Sequence, residues 1–271
     1  MHKVSIIMPT FNGRRYIGES IQSALSQTYP DIELIIVDDG STDETYFPWL
    51  QAQACERVRV IAGNHGGPAS ARNIGIAQAN GEYILPLDDD DLIDPSYVEK
   101  AVALLDQDEN IDVVYCKAKR FGAIDCSWDL PEFSVPQMLV DNVVFVSAVF
   151  RKSLWAAVDG FDEGMKSGLE DYDFWLSLIE KGAGFYRIPE VLFFCRVKKT
   201  SHNLRSSETE EKLQKNYQLL FSKHQQLYKK NCDEYTKKLR CDWVHQRFIL
   251  THPQQESLIC RLRRRLKRAV Q

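Results

Sequence analysis

The chain has 271 residues, 34 basic and 38 acidic, for a formal charge of −4, with 44% hydrophobic and 27% charged residues. That balance suits a folded globular protein and excludes a disordered one, and the longest apolar run, Val143 to Phe150, is too short to cross a membrane. The sum hides an asymmetry: residues 1–256 carry −10, whereas the last fifteen, SLICRLRRRLKRAVQ, carry six bases and no acid.

Val4 to Met8 is a β-branched run closed by Pro9, and Tyr16 to Ser26 has helical spacing through Ile17, Ile21, Ala24 and Leu25. Met1-His2-Lys3 leads straight into that first run, which is not the pattern of a secretory leader. Ile32 to Val37, apolar except for Glu33, stops at Asp38-Asp39-Gly40, and Val58 to Ala62 is a third run. A glycine-rich turn, Gly63 to Gly67, opens a helix over Pro68 to Ala79, and Tyr83 to Leu87 ends at four aspartates. Short apolar strands alternating with helices predict parallel βαβ units, a sheet covered on both faces, and ligands at the carboxyl ends of the strands. Asp112–Cys116, Val143–Phe150 and Val191–Cys195 read as further strands, and Tyr172–Lys181 as a helix. Beyond Thr200 the β signals vanish, with helical patterns over Glu208–Lys230 and Glu234–Leu250, so a boundary is placed near residue 200. Seven cysteines without a C-x-x-C pair read as reduced thiols of a cytosolic protein.

Asp88-Asp89-Asp90-Asp91 is the strongest single feature, because adjacent carboxylates repel unless a cation or hydrogen-bond donors neutralise them. On an extended backbone Asp88 and Asp90 face one side, Asp89 and Asp91 the other, and one such pair suits Mg²⁺ or Mn²⁺. The plainer alternative is a solvated loop in which Asp91 or Asp94 caps the helix beginning at Pro95. Asp39 either accepts a base N–H or ribose hydroxyls, or belongs to a capping segment with Ser41, Thr42 or Asp43. Arg72, one turn into its helix, pairs with the acidic strand ends, clamps a diphosphate, or is a surface arginine. Glu170, Asp171 and Asp173 open an amphipathic helix whose N-terminus stabilises anions; helix capping explains one or two, and a general base another. The six histidines form no metal-ligand pattern, and no serine or cysteine nucleophile signature appears. The basic tail from Arg261 to Arg268 carries Leu258, Leu262 and Leu266 on one helical face, which fits an interfacial helix better than nucleic-acid contact, the plainer alternative being a frayed, solvated tail.

In order, VSIIMPTFNGRRYIGESIQSALSQTYPDIELIIVDDGSTDET, GGPASARNIGIAQANGEYILPLDDDD, GFDE (Gly160–Glu163) and LEDYDFWLSL (Leu169–Leu178) resemble the successive signatures of family-two glycosyltransferases. The resemblance spans roughly residues 3–200 and implies a GT-A fold: α/β, Rossmann-like, with a mostly parallel sheet covered by helices on both faces. It divides the chain into a glycosyltransferase domain, 1–200, and a helical C-terminal extension, 201–271. It implies an inverting enzyme using a nucleotide-sugar donor, a UDP-linked hexose or N-acetylhexosamine, with a glycan or lipid-linked acceptor in cell-surface polysaccharide synthesis. Pro9, Thr10, Asp39, Arg72, Asp88, Asp89, Arg196 and Lys198 would bind the donor, Asp39 reading the uracil N–H. Asp90 and Asp88 would hold Mn²⁺ or Mg²⁺, with Asp91 as the register alternative, and Asp171 matches the catalytic base. Arg196 is retained in FFCRVKKTSHN (Phe193–Asn203), but Cys195 replaces a tyrosine and Lys198 stands where a histidine is frequent. Lys198 would then offset diphosphate charge, or His202 would reach in. The implied location is the cytoplasm, at the inner face of the membrane through Arg261 to Arg268, and no nucleic acid is expected.

Three other enzyme or binding classes compete. A sugar-nucleotide nucleotidyltransferase needs a glycine-rich basic loop after the first strand, where this chain has only Phe11-Asn12-Gly13-Arg14-Arg15. A receiver is about half this length and gives no role to LEDYDFW, and a non-catalytic nucleotide-sugar-binding module would be excluded by metal-dependent donor hydrolysis.

Overall fold

A computed structural model describes residues 2–166, 168–198 and 207–251, with side chains undescribed at 207–213 and 242–251. The elements run β1 (Val4–Thr10), α1 (Ile17–Leu25), β2 (Ile32–Asp38), α2 (Tyr46–Gln51), β3 (Val58–Ala62), α3 (Pro68–Ala77), β4 (Tyr83–Pro86) and β5 (Leu92–Ile93). Then come α4 (Tyr97–Gln107), β6 (Val113–Gly122), β7 (Cys126–Trp128), α5 (Val135–Met138), β8 (Val149–Arg151), α6 (Lys152–Ala157), α7 (Glu170–Glu180) and β9 (Phe185–Val197). Three helices follow: α8 (Ser207–Lys223), α9 (Gln225–Lys230) and α10 (Cys232–Thr251).

One sheet has the order β3-β2-β1-β4-β8-β6-β9-β5, with β7 beside β6. The β3-β2-β1-β4 half is all parallel, as expected of buried β-branched runs joined by helices. In the other half only β6 and β9 are parallel, and β8, β5 and β7 pair antiparallel. The sheet is therefore mixed beyond β4. Every residue of β1 and β2 is buried. Glu33, the polar interruption of β2, accepts hydrogen bonds from Ser5 Oγ (2.6 Å) and the Asn80 backbone N–H (2.6 Å), and pairs with Arg59 (2.9 Å). A buried carboxylate with that many donors is satisfied rather than strained, and its pKa is lowered despite burial.

One expectation fails here. Val143–Phe150 is not a strand: only Val149–Arg151 joins the sheet, and residues 143–148 form buried irregular backbone. Their polar groups are met locally, with Asn142 Oδ1 accepting from the Val144 N–H and Tyr97 Oη donating to the Ser147 carbonyl. Burial explains the apolar run without a ladder. The helix over 208–230 is broken at His224 into α8 and α9. These helices do not stand apart from the sheet domain, since Leu220 and Leu227 are buried in its core. His202 and the tail from Arg261 to Arg268 lie outside the described residues.

Candidate active site

The carboxyl ends of β1, β2 and β4 open onto a cavity of about 560 Å³ whose walls include Pro9, Thr10, Asp39, Arg72, Asp88, Asp89 and Asp90. Gly67, at φ +89°, turns the chain into α3, with Pro68 in the first helical position where its missing N–H costs nothing. The Gly66 and Gly67 amides donate to Asp39 Oδ1 (3.0 Å) and Oδ2 (2.7 Å), which fixes the carboxylate against the wall. Its remaining lone pairs are free for a ligand. Phe11, 47% exposed at the rim, has its ring centroid 5.3 Å from that of His65.

The aspartate run is not extended. The backbone turns at Asp89–Asp90, closed by the Asp91 N–H donating to the Asp88 carbonyl at 3.2 Å. The two-sided alternation expected of a strand is therefore absent, and Asp88, Asp89 and Asp90 share the cavity wall. Thr10 Oγ1 donates to Asp89 at 2.5 Å, and burial together with Asp90 and Asp88 lifts the Asp89 carboxyl to about 6. Gly13 leaves room for it: a Cβ there would lie 1.8 Å from Asp89 Oδ2. Lys198 Nζ sits 2.5 Å from Asp90 Oδ2. Asp91 turns away and accepts the Arg196 N–H at 2.7 Å, and burial raises its pKa strongly. It caps no helix. Nor does Asp94: α4 starts at Tyr97 with Ser96 as its N-cap and no side-chain cap bond, and Asp94 accepts the Ser96 N–H at 2.9 Å in the turn before the helix.

Arg72 is 3% exposed and bridges two carboxylates 82 residues apart, with Nη2 2.7 Å from Asp88 and Nη1 2.7 Å from Glu170. Burial disfavours its charge, but Asp88 and Glu170 outweigh that, so it stays a guanidinium. The bridge ties the aspartate wall to the first turn of α7. That turn carries Asp171, whose Oδ1 accepts its neighbour's N–H (Tyr172, 2.8 Å) and whose Oδ2 accepts Asn142 Nδ2 at 3.1 Å. Burial first, and Glu170 second, lift Asp171 to about 6, partly offset by Arg72. Asn73 braces the same region by donating to the Phe161 carbonyl (2.8 Å) while accepting from Trp155 Nε1 (3.0 Å).

Arg196 and Lys198 do not line this cavity. They line a second one, of about 480 Å³, across Asp89, together with Arg15 and Tyr16. The Arg196 guanidinium lies over the Tyr16 and Phe121 rings (4.5 and 4.4 Å) and pairs with Glu19 at 2.8 Å. Among the described residues no set of three or more His, Cys, Asp or Glu side chains is arranged around a metal position. Two carboxylates with open positions are enough for Mg²⁺ or Mn²⁺ when phosphates supply the rest, and Asp88 and Asp90 on one wall fit that donor set.

Sequence reasoning did not single out Phe11, His65, Glu163, Met165 or Lys166 as cavity residues. Nor did it find Asn142 beside Asp171 or Glu170 as the partner of Arg72. The acid pair opening α7 was a signal for Glu170, whereas Asn142 lies in an irregular segment and gave none.

The model of the family described as "Glycosyl transferase family 2" matches residues 5–151 of the chain. Chondroitin synthase of Pasteurella multocida is 34% identical over 184 residues, covering 66% of this chain but 19% of that protein. This chain thus spans about a fifth of that relative's length. Among solved structures, S. aureus TarS 1–349 in complex with UDP is similar with a TM-score of 0.61 and 25% identity, over 78% of this chain and 68% of that one. The mannosyltransferase PcManGT from Pyrobaculum calidifontis, in complex with GDP-Man and Mn²⁺, shares the fold with a TM-score of 0.58 and 21% identity, over 73% and 58% of the two chains.

Proposed function

The chain belongs to glycosyl transferase family 2, and from that premise we propose that it moves a hexose or N-acetylhexosamine, with inversion, from a UDP-linked donor. The acceptor is a hydroxyl of a glycan or lipid-linked precursor in cell-surface polysaccharide synthesis. The observation that carries this reading is the Glu170–Arg72–Asp88 bridge, which holds Asp171 in fixed relation to the aspartate wall. The bound UDP of TarS and the polymer named for chondroitin synthase support the donor and the product class.

In this reading the nucleobase lies beside Phe11 and His65, and Asp39, Pro9 and Thr10 line its seat. Asp88 and Asp90 would hold a divalent cation, which would neutralise charge on the leaving diphosphate; PcManGT with Mn²⁺ supports it. Lys198, beside Asp90, and Arg196 add fixed positive charge on the second-cavity side. Asp171, ionised above about pH 6, accepts the proton of the attacking hydroxyl on the face opposite the diphosphate.

A thermal-shift panel of UDP-, GDP- and dTDP-sugars with and without Mn²⁺ tests the donor. A UDP-sugar at one hundred times its Kd adds about 2.7 kcal/mol of stability, and no metal-dependent shift with any sugar nucleotide would overturn the assignment. We also assign the tail from Arg261 to Arg268 to an anionic membrane surface, at the inner face of the cytoplasmic membrane, at about 1 kcal/mol per base. Unchanged sedimentation with anionic liposomes after removal of residues 257–271 would refute it.

A further inference from the structure

Helices α8 and α9 follow the segment that carries the catalytic signatures, yet their polar side chains converge on the turn that presents Asp171. Asn216, itself buried, donates Nδ2 to the Gly168 carbonyl at 3.2 Å. Gly168 and Leu169 both have positive φ (97° and 68°), so the chain enters α7 through a conformation that needs outside support. Lys223 Nζ donates to Asp173 Oδ2 at 2.7 Å and to Asp162 Oδ2 at 2.5 Å. His224, 2% exposed, places Nε2 3.1 Å from Asp173 Oδ1 and Nδ1 3.2 Å from Glu180 Oε1. Tyr228 Oη donates to the Leu139 carbonyl at 3.2 Å. The preceding carbonyl, Met138, takes the Tyr172 hydroxyl. Three residues beyond Leu139, Asn142 donates to Asp171.

Docking alone does not require this. Leu220 and Leu227 already bury apolar surface, and a buried charged cluster adds little stability over apolar residues of the same volume. What directional bonds to both oxygens of Asp173 add is position. Asp173 is 3% exposed and two residues from Asp171, so the imidazole and ammonium fix the helical turn that carries the base. A general base must lie within about 2.6–3.2 Å of its proton, and a misplacement of about 1 Å costs about 10²-fold.

We propose that His224, assisted by Lys223, is a positioning residue that holds the first turn of α7 so that Asp171 meets the acceptor hydroxyl. The proposal rests on Asp171 as the base. Helices α8 and α9 then belong to the catalytic unit.

The full chain is compared with His224→Leu, His224→Gln (which keeps a donor near Nε2) and Lys223→Met, the last at a partly exposed site that tolerates change. Hydrogen exchange of residues 169–174 is read without donor, and kcat and donor KM are read in transfer. In His224→Leu, first-turn exchange rises about tenfold while the central sheet keeps its protection. There kcat falls about tenfold or more with donor KM within about twofold, and His224→Gln recovers both. If His224→Leu does not fold, Lys223→Met must show the same pair of effects. Unchanged first-turn exchange, unchanged kcat, or a loss that His224→Gln fails to rescue overturns the proposal. Absence of transfer in the unmodified chain would instead fail the glycosyltransfer reading, while exchange still decides whether the clamp holds the turn.

Discussion

Transfer should fall as pH drops through about 6, and the midpoint should follow the charge of Glu170. Asp171 is lifted to about 6 chiefly by burial and next by Glu170, with Arg72 pulling the other way. A carboxylate with a raised pKa is an ionised base only above that value. At saturating donor, kcat is therefore on its plateau at pH 8 and about one tenth of it at pH 5. Glu170→Gln removes the neighbouring negative charge, and Arg72, still 2.7 Å from Asp88, remains to favour ionised Asp171. Both effects move the acid limb to lower pH. Asp171→Asn keeps the shape of the side chain and its bond to the Tyr172 amide but cannot take the proton, so kcat drops about 10²–10⁴-fold with donor KM unchanged. The assay is UDP release between pH 5 and 8.5, with donor and Mn²⁺ shown to be saturating at each pH. A midpoint that stays in place in Glu170→Gln, or an acid limb that survives in Asp171→Asn, would assign the titration to another group and remove Asp171 from the role.

Three further outcomes are expected. Arg72→Met strands Asp88 and Glu170; because Asp88 keeps solvent contact (37% side-chain exposure), the loss is about 3 kcal/mol in urea unfolding, the lower end for a broken buried pair. Gly75→Ala would put a Cβ 2.5 Å from Ile7 Cγ2, so overpacking of α3 on β1 outweighs the gain in helix propensity. A net loss of about 1 kcal/mol is expected, and calorimetry showing a higher Tm would contradict that packing. Lys198→Met removes the ammonium 2.5 Å from Asp90, so donor-free Mn²⁺ binding tightens in calorimetric titration while donor affinity falls; unaltered Mn²⁺ binding would show that Lys198 and the cation do not share Asp90.

The parallel half of the fold was legible because its signals are local. β1 to β4 and α3 begin within a residue or two of the β-branched runs and the Gly67-Pro68 junction that announce them. β6 and β9 extend well past the apolar stretches that marked them, since Lys117, Lys119 and Arg187 sit on partly solvated faces that a hydrophobic count discards. The run at Val143 misled for the opposite reason: complete burial makes irregular backbone as apolar as a central strand. In the site, Asp39, Arg72 and Asp88 to Asp90 converge as the strand-end rule requires. Partnerships between distant residues were invisible, above all Arg72 with Glu170 and Asp173 with His224. A boundary near residue 200 reflected the loss of β pattern, and a mostly polar helix does not reveal in its composition that Leu220 and Leu227 join the core of the sheet domain.

The four aspartates look like one acidic site in the chain, yet the fold gives each a different neighbour. Asp88 has a guanidinium, Asp89 a hydroxyl, Asp90 an ammonium and Asp91 a backbone amide. These neighbours explain how such a run is compatible with folding: each carboxylate is met separately, so repulsion is not left to the whole cluster. They also sort the run by capacity for chemistry. Asp91 is committed to β9, and Asp89 is lifted to about 6 by burial and by the carboxylates on either side. Asp88 is partly exposed but tied to the buried Arg72, and Asp90 is tied to the partly exposed Lys198; under the proposed function a divalent ion would share these two carboxylates and a diphosphate would take up the ammonium released from Asp90. Under the proposed function the donor-free protein would already carry the charge pattern of its bound state, with Lys198 standing in for part of the ligand, and donor binding would exchange partners without having to create charge balance.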